Sequence, residues 1–340
     1  MIELETQPVA IYLDAVRALK ATRDPKVAAA LIREHGLPRE VVPTELLTEK
    51  LVWEALLENM PATALIRNLA TMTRVGLIAP LSAGTKTVVE KLSDHERLVR
   101  ARVHPIAILL ALKTYEAGRT QAPGLYAHNV RTRLGISRSG GIAEVRTWTP
   151  VPQVIDALDA AFYASFAGVV PTGDRILVAL DVSGSMNAPI TNSIMTCTEA
   201  GAAMALVLGS TEPQSHIIAF DTGTHEFAIS KRQRLDDVVK RASRYGGGTD
   251  VAQPILYATN KRMPVDAFVI LTDSETWAGR THAQVALEAY RKKMSLRSKL
   301  VVMSTAANTT TVGDVKDPLV LNTTGFDAAA PQVLNAFLKL

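Results

Sequence analysis

From residue 8 to residue 166, apolar side chains recur every three or four positions; from residue 176 on, short unbroken apolar runs alternate with helical stretches. The first pattern predicts helices. Asp24-Pro25 supplies an N-cap and a first-turn proline, and Gly36 stops that helix. Thr44 is expected to cap the next one, with Leu46, Trp53, Leu57 and Met60 on one face. Pro61 starts another, with Leu65, Leu69 and Met72 inward. Ser93 and Glu96 read as a capping box before a short helix. His104 to Glu116 follows, with Ile108, Leu109, Leu112 and Tyr115 on its apolar face, and Val154 to Phe166 is the last helix of this half. Helices joined by short loops with no strand pattern predict stacked antiparallel pairs, an α-solenoid, although no fixed sequence period accompanies them.

In the second half, strands are predicted at Ile176 to Val182, His216 to Phe220, Phe268 to Thr272, Leu300 to Ser304 and Leu319 to Leu321. Helices are predicted near Ile194 to Leu208, Leu235 to Ser243, Val251 to Thr259, Ala283 to Lys292 and Val333 to Leu340. Buried strands alternating with helices mean a doubly wound, Rossmann-like, largely parallel sheet. Pro171-Thr172-Gly173 reads as the hinge, dividing the chain into a helical domain, 1–170, and an α/β domain, 171–340.

A hydrophobic fraction of 47% over 340 residues supports two real cores. The net charge of +4 is too small to imply a nucleic-acid partner by itself, but its distribution is uneven. Between Arg97 and Arg146, nine basic residues face only Glu116 and Glu144, and Gly118 to Pro150 breaks the helical pattern. A long loop carrying one sign of charge suggests a functional segment, and a plain solvated, mobile loop stays open beside that reading. The single Cys197 excludes an internal disulfide and points to a reducing compartment. The opening MIELETQ has no signal-peptide pattern, and no apolar run approaches the ~20 residues of a membrane helix. A soluble cytoplasmic protein is the expectation, with no membrane partner.

The chemistry concentrates at LVALDVSGS, Leu177 to Ser185, where an apolar strand ends in a carboxylate and two hydroxyls follow. Asp181, Ser183 and Ser185 are hard oxygen donors at a strand's carboxyl end, where open α/β sheets bind ligands. Two other strand-end segments supply further oxygens: Thr249 after Gly246-Gly247-Gly248, and Asp273 after the apolar run from Asp266 to Leu271. The donor set suits Mg²⁺ or another divalent cation. On the residues alone, a loop with capping serines and no metal remains open. There is no GxGxxG or GxxxxGK[ST], which leaves nucleotide binding without support. His216, His225 and His282 have no evident serine or cysteine partner, so no catalytic residue is assigned.

A DxSxS loop, a later glycine-preceded Thr and an Asp ending a third strand resemble the metal-ion-dependent adhesion site of von Willebrand factor A domains. The resemblance implies that Ser183, Ser185 and Thr249 ligate directly and that Asp181 and Asp273 act directly or through water. It also implies one coordination position left open for a partner's carboxylate. Taken over both halves, segments such as YLDAVRALKAT, LTEKLVWEALLENMPATALIRNLATMT, VPTGDRILVALDVSGSM, YGGGTDVAQP and ILTDSETWAG are similar to the Ro ribonucleoprotein family. That resemblance implies a TROVE module of HEAT-like helical repeats joined to a von Willebrand factor A domain. It further implies binding of small noncoding Y RNAs outside a helical ring and of misfolded RNA 3′ ends in its hole. Family rings carry further repeats ahead of the point where this chain begins, so the chain reads as a miniature form, expected to complete a ring as a homo-oligomer.

By the same resemblance, Arg67, Arg74, Arg102, His104 and Lys113 lie on polar helix faces, and Arg131, Arg133 and Arg138 in the basic loop, as candidate RNA contacts. The alternative from another class is a Mg²⁺-dependent adhesion-type module that captures an acidic protein ligand and has no RNA role. An enzyme acting on phosphate esters is not expected, since the site lacks an evident general base or second-metal carboxylate cluster.

Overall fold

The computed structural model describes residues 7–120, 145–190, 193–273, 278–305 and 312–340. The chain divides into two compact units. Of the described residues, one comprises 7–103, Ala111–Thr120 and Val145–Ser165; the other comprises His104–Leu110 and those from Phe166 to Leu340.

The first unit is built from helices α1 (Gln7–Ala21), α2 (Pro25–His35), α3 (Lys50–Asn59), α4 (Ala62–Arg74), α5 (Ala83–Ser93), α6 (His95–Arg100), the later part of α7 (Pro105–Glu116) and α8 (Pro152–Ala164). From α1 to α6 each helix packs on the next, and α8 returns onto α5 and α6. Sequence explains the boundaries. Asp24 accepts from the Lys26 amide, and Gly36 takes the left-handed conformation that ends α2. Two expected caps are corrected. Thr44 opens a short 3₁₀ turn, Thr44–Thr48, and α3 begins only after Glu49, so Thr44 caps no α-helix. Ser93 is the last residue of α5; the cap of α6 is Asp94, whose Oδ1 accepts from the Arg97 amide at 2.9 Å. Asp competes well for this role because its carboxylate faces the positive end of the helix. The core holds Trp53, Leu65, Leu69 and Met72, all fully buried, and the Trp53 indole donates to the Leu47 carbonyl at 2.8 Å. Tyr115 ties three segments together: its hydroxyl contacts Thr73 Oγ1 at 2.9 Å and accepts from the Val151 amide, and its carbonyl accepts from Trp148 Nε1.

The second unit is a six-stranded sheet in the order β3-β2-β1-β4-β5-β6. The strands are β1 (Ile176–Asp181), β2 (Ser215–Phe220), β3 (Thr224–Glu226), β4 (Ala267–Thr272), β5 (Lys299–Ser304) and β6 (Val320–Thr324). All neighbours run parallel except β3, which pairs antiparallel with β2. Strand β3 was absent from the sequence expectation, because Thr-His-Glu carries no apolar run. The helices are α9 (Cys197–Thr211), α10 (Leu235–Ala242), α11 (Gln253–Lys261), α12 (Ala283–Met294) and α13 (Ala330–Leu338). Helix α9 starts three residues later than expected, at a capping box in which Thr196 and Glu199 bond reciprocally to each other's backbone amides. It is buried nearly all round and lies close under β1: a Cβ on Gly201 would meet Leu180 Cδ1 at 2.7 Å. The chain runs outward from β1 on one side through β2 and on the other through β4. The carboxyl ends of β1 and β4 therefore flank the reversal of strand order, the place where doubly wound sheets bind ligands. Among the described residues no helix is long and apolar enough to cross a membrane.

Candidate metal centre and basic surface

Strand pairing carries three separated pieces of sequence to one edge. β1 delivers Asp181 buried, and the turn after it folds back so that Asp181 Oδ1 accepts from the Ser183 amide at 2.9 Å. Asp181 Oδ2 accepts from Thr272 Oγ1, the last residue of β4, at 2.6 Å. Asp273 follows directly and is buried as well. The Ser183 and Ser185 hydroxyls lie 3.3 Å apart. The third piece arrives through Gly247, at φ +121°, whose carbonyl accepts from the Gly184 amide at 3.2 Å. Only glycine adopts that backbone readily. The contact lays the Thr249 loop on the Ser183–Ser185 loop. Thr249 is itself buried, and its carbonyl accepts from the Ala278 amide. All five expected donors thus stand at the switch-point edge of the sheet.

Their electrostatics fit a cation. Burial pushes the Asp181 carboxyl up to about 6, against hydrogen bonds from Ser183 and Thr272 that lower it, and the charge of Asp273 adds to the rise. Among the described residues, no Lys or Arg side chain is among the groups that shift it. A buried carboxylate costs several kcal/mol unless paired, and a divalent ion is the partner that a carboxylate–hydroxyl set can hold. Mg²⁺ and other oxygen-preferring ions fit it; among the described residues no cluster of three His, Cys, Asp or Glu side chains gathers, as a zinc centre would require. Sequence reasoning missed Thr272, which holds the carboxylate, and Cys197, which lies near it. The Cys197 thiol is pushed up by burial first, and the charges of Asp273 and Asp181 push it the same way.

The basic candidates are dispersed. Arg67 and Arg74 are exposed on α4, two turns apart on one face. The Thr73–Tyr115 contact brings the end of α4 beside the end of α7, which carries half-buried Lys113. Arg102 is exposed at a left-handed φ of +50°. His104 departs from the expectation. It precedes α7, its Nδ1 accepts from the Ile106 amide at 3.2 Å, and burial lowers its pKa to about 4. It lines a cavity of about 20 Å³ with Val169, Met204, Leu208 and Leu334, so at neutral pH it offers no positive charge to phosphate. Arg131, Arg133 and Arg138 lie outside the described residues. The other histidines are placed by local bonding: His282 caps α12, and His216 bonds the Tyr257 hydroxyl.

A helical unit joined to a doubly wound sheet with a DxSxS strand-end site defines a von Willebrand factor A protein with a helical companion module. The comparisons make this specific: residues 34–174 match the TROVE domain and residues 175–338 the Ro60 vWA domain. RNA-binding protein RO60 of Deinococcus radiodurans is 38% identical over 328 residues, 95% of this chain and 57% of that protein. RNA-binding protein RO60 of Caenorhabditis elegans is 35% identical over 341 residues, 99% of this chain and 50% of that protein. The crystal structure of the Deinococcus radiodurans RO (RSR) protein matches with a TM-score of 0.82 at 35% identity, covering 100% of this chain and 64% of that one. The chain belongs to the Ro family. It spans about half the length of the curated relatives it matches.

Proposed function

We propose that this chain is a Ro-type RNA-binding protein that takes noncoding or misfolded RNA by its single-stranded 3′ end, using exposed basic positions of the helical unit. What supports it most is the likeness, over nearly the full chain, to two proteins named as RNA-binding. Arg67, Arg74 and Arg102 supply exposed charge, and each phosphate neutralised contributes about −0.7 to the log–log salt slope for single strands. The proposal includes assembly into a homo-oligomeric ring. Val9, Tyr12 and Leu13, on one face of α1, are 59%, 38% and 47% exposed, an apolar edge that a second copy would cover. Titrating a duplex RNA with a 3′ tail, against the same duplex blunt-ended and at several salt concentrations, tests it. Tail-dependent, salt-sensitive binding is expected; equal or no binding contradicts it. A mass of one 36.6 kDa chain at micromolar concentration would remove the ring.

The carboxylate–hydroxyl set favours a second activity at the other unit: Asp181, Ser183, Ser185, Thr249 and Asp273 hold Mg²⁺, leaving a position for an acidic residue of a protein partner. A cation held there would supply charge neutralisation and a point of attachment. Loss of partner capture on chelation or in Asp181→Ala, with RNA binding intact, is the outcome expected for a separate adhesion-type function.

A further inference from the structure

The end of β2 carries a carboxylate outside the ligand set. Asp221 is buried and tied to the Thr249 loop: its carbonyl accepts from the Asp250 amide at 2.9 Å, and a Cβ on Gly247 would stand 3.9 Å from its Oδ2. Its Oδ1 accepts from the Gly223 amide at 2.9 Å and meets His225 Nε2, from β3, at 3.1 Å. Nε2 is buried and, among the described residues, the Asp221 carboxylate is the acidic group it pairs with, a close approach without hydrogen-bond geometry. The opposite contact of the His225 ring is Tyr245, with centroids 4.5 Å apart and planes tilted by 32°. Tyr245 directly precedes Gly246-Gly247-Gly248, so the contacts close a circuit from Asp221 through His225 and Tyr245 to Thr249, and from Asp250 back to Asp221.

Three successive glycines give the segment before Thr249 more backbone freedom than any other tripeptide, and fixing it costs entropy. Thr249 can serve a cation only if its hydroxyl is held in place. We propose that Asp221, His225 and Tyr245 form a brace that positions the Gly246–Thr249 segment for cation capture, with His225 as the positioning residue. This rests on the Mg²⁺ proposal above. Outer partners of metal ligands typically contribute 10–100-fold to affinity.

The test is calorimetric titration of the full chain with MgCl₂ and MnCl₂, in wild type, His225→Ala, His225→Gln, Tyr245→Ala and Asp181→Asn. His225→Ala is expected to weaken binding at least tenfold, His225→Gln to recover part of it by returning a polar side chain of similar reach beside Asp221, and Asp181→Asn to abolish it. Tyr245→Ala, at a ring 37% exposed, should reproduce the loss without disturbing β3, and serves if His225→Ala does not fold. Binding unchanged in His225→Ala or Tyr245→Ala, with Asp181→Asn inactive, would overturn the brace and leave the cation site standing. His225→Gln as weak as His225→Ala would overturn the role of the Asp221 contact. No binding heat in wild type at millimolar cation would overturn the site and the brace with it.

Discussion

The two units organise function in opposite ways. In the sheet unit, parallel pairing gathers Asp181, Thr249 and Asp273 from positions far apart in sequence onto one edge, buries them, and fixes Asp181 and the Thr249 loop with hydrogen bonds at 2.6–3.2 Å. In the helical unit, the charged candidates Arg67, Arg74 and Arg102 are exposed and placed one by one on helix surfaces. A small hard ion needs several oxygens converging within about 2.1 Å, whereas a phosphate backbone is met by dispersed, screened charges. The first kind of site must be built by topology; the second needs only a scaffold that keeps its cations outside.

The comparison is tested hardest by damage to the scaffold. Trp53→Ala removes a fully buried ring and its bond to Leu47; it should cost about 3–5 kcal/mol and abolish RNA binding while Mg²⁺ binding survives. Chemical denaturation, with each ligand titrated separately, checks this.

Asp181→Asn should do the reverse. The folded carboxyl sits at about 6, above its ordinary 3.8. Stability attached to it is therefore full below about 3.8 and lost as pH rises through 6. At pH 7.5 the metal-free wild type carries an ionised buried carboxylate at a cost on the order of 3 kcal/mol. Asp181→Asn should be at least as stable as wild type without metal, and it should lose any Mg²⁺-induced rise in melting temperature. A Mg²⁺ shift of equal size in the variant would remove Asp181 from the ligand set.

His104 gives the opposite sign. Its folded pKa of about 4 lies below the ordinary 6.5, so the unfolded chain takes up a proton that the folded chain refuses. Its contribution is full above about 6.5 and falls by up to about 3 kcal/mol as pH drops toward 4. His104→Asn keeps an acceptor for the Ile106 amide. The variant should flatten the pH dependence of melting between 7 and 4.5; an unchanged profile would mean that His104 is hydrated.

The smallest effect is expected on the helix surface. Arg67→Ala with Arg74→Ala should weaken tailed-RNA binding by roughly tenfold and reduce the salt slope by about 1.4, two phosphates' worth. An unchanged slope would place the RNA elsewhere.

Legibility follows the same division. β1 and β4 were readable because they are unbroken apolar runs, and Asp181 and Asp273 because they end those runs. Thr272 was not, since nothing local in ILTD says that its hydroxyl crosses to the neighbouring strand. Asp221 and His225 were hidden for a related reason: β3 is three half-polar residues long, and its pairing with β2 exists only in the folded sheet. In the helical unit, helix existence followed from apolar spacing, while the caps at Thr44 and Ser93 were misassigned because several hydroxyls and carboxylates near each boundary could serve. His104 looked like a cation beside arginines; only packing shows that burial has neutralised it.

The claim that RNA and cation belong to separate units is tested most directly by titrating 3′-tailed RNA in Mg²⁺ and in chelator, with ionic strength matched by NaCl. The account predicts the same affinity and the same preference over blunt duplex in both. Loss of tailed-RNA binding in chelator, repeated by Asp181→Asn in Mg²⁺, would contradict it and put the cation inside the RNA site.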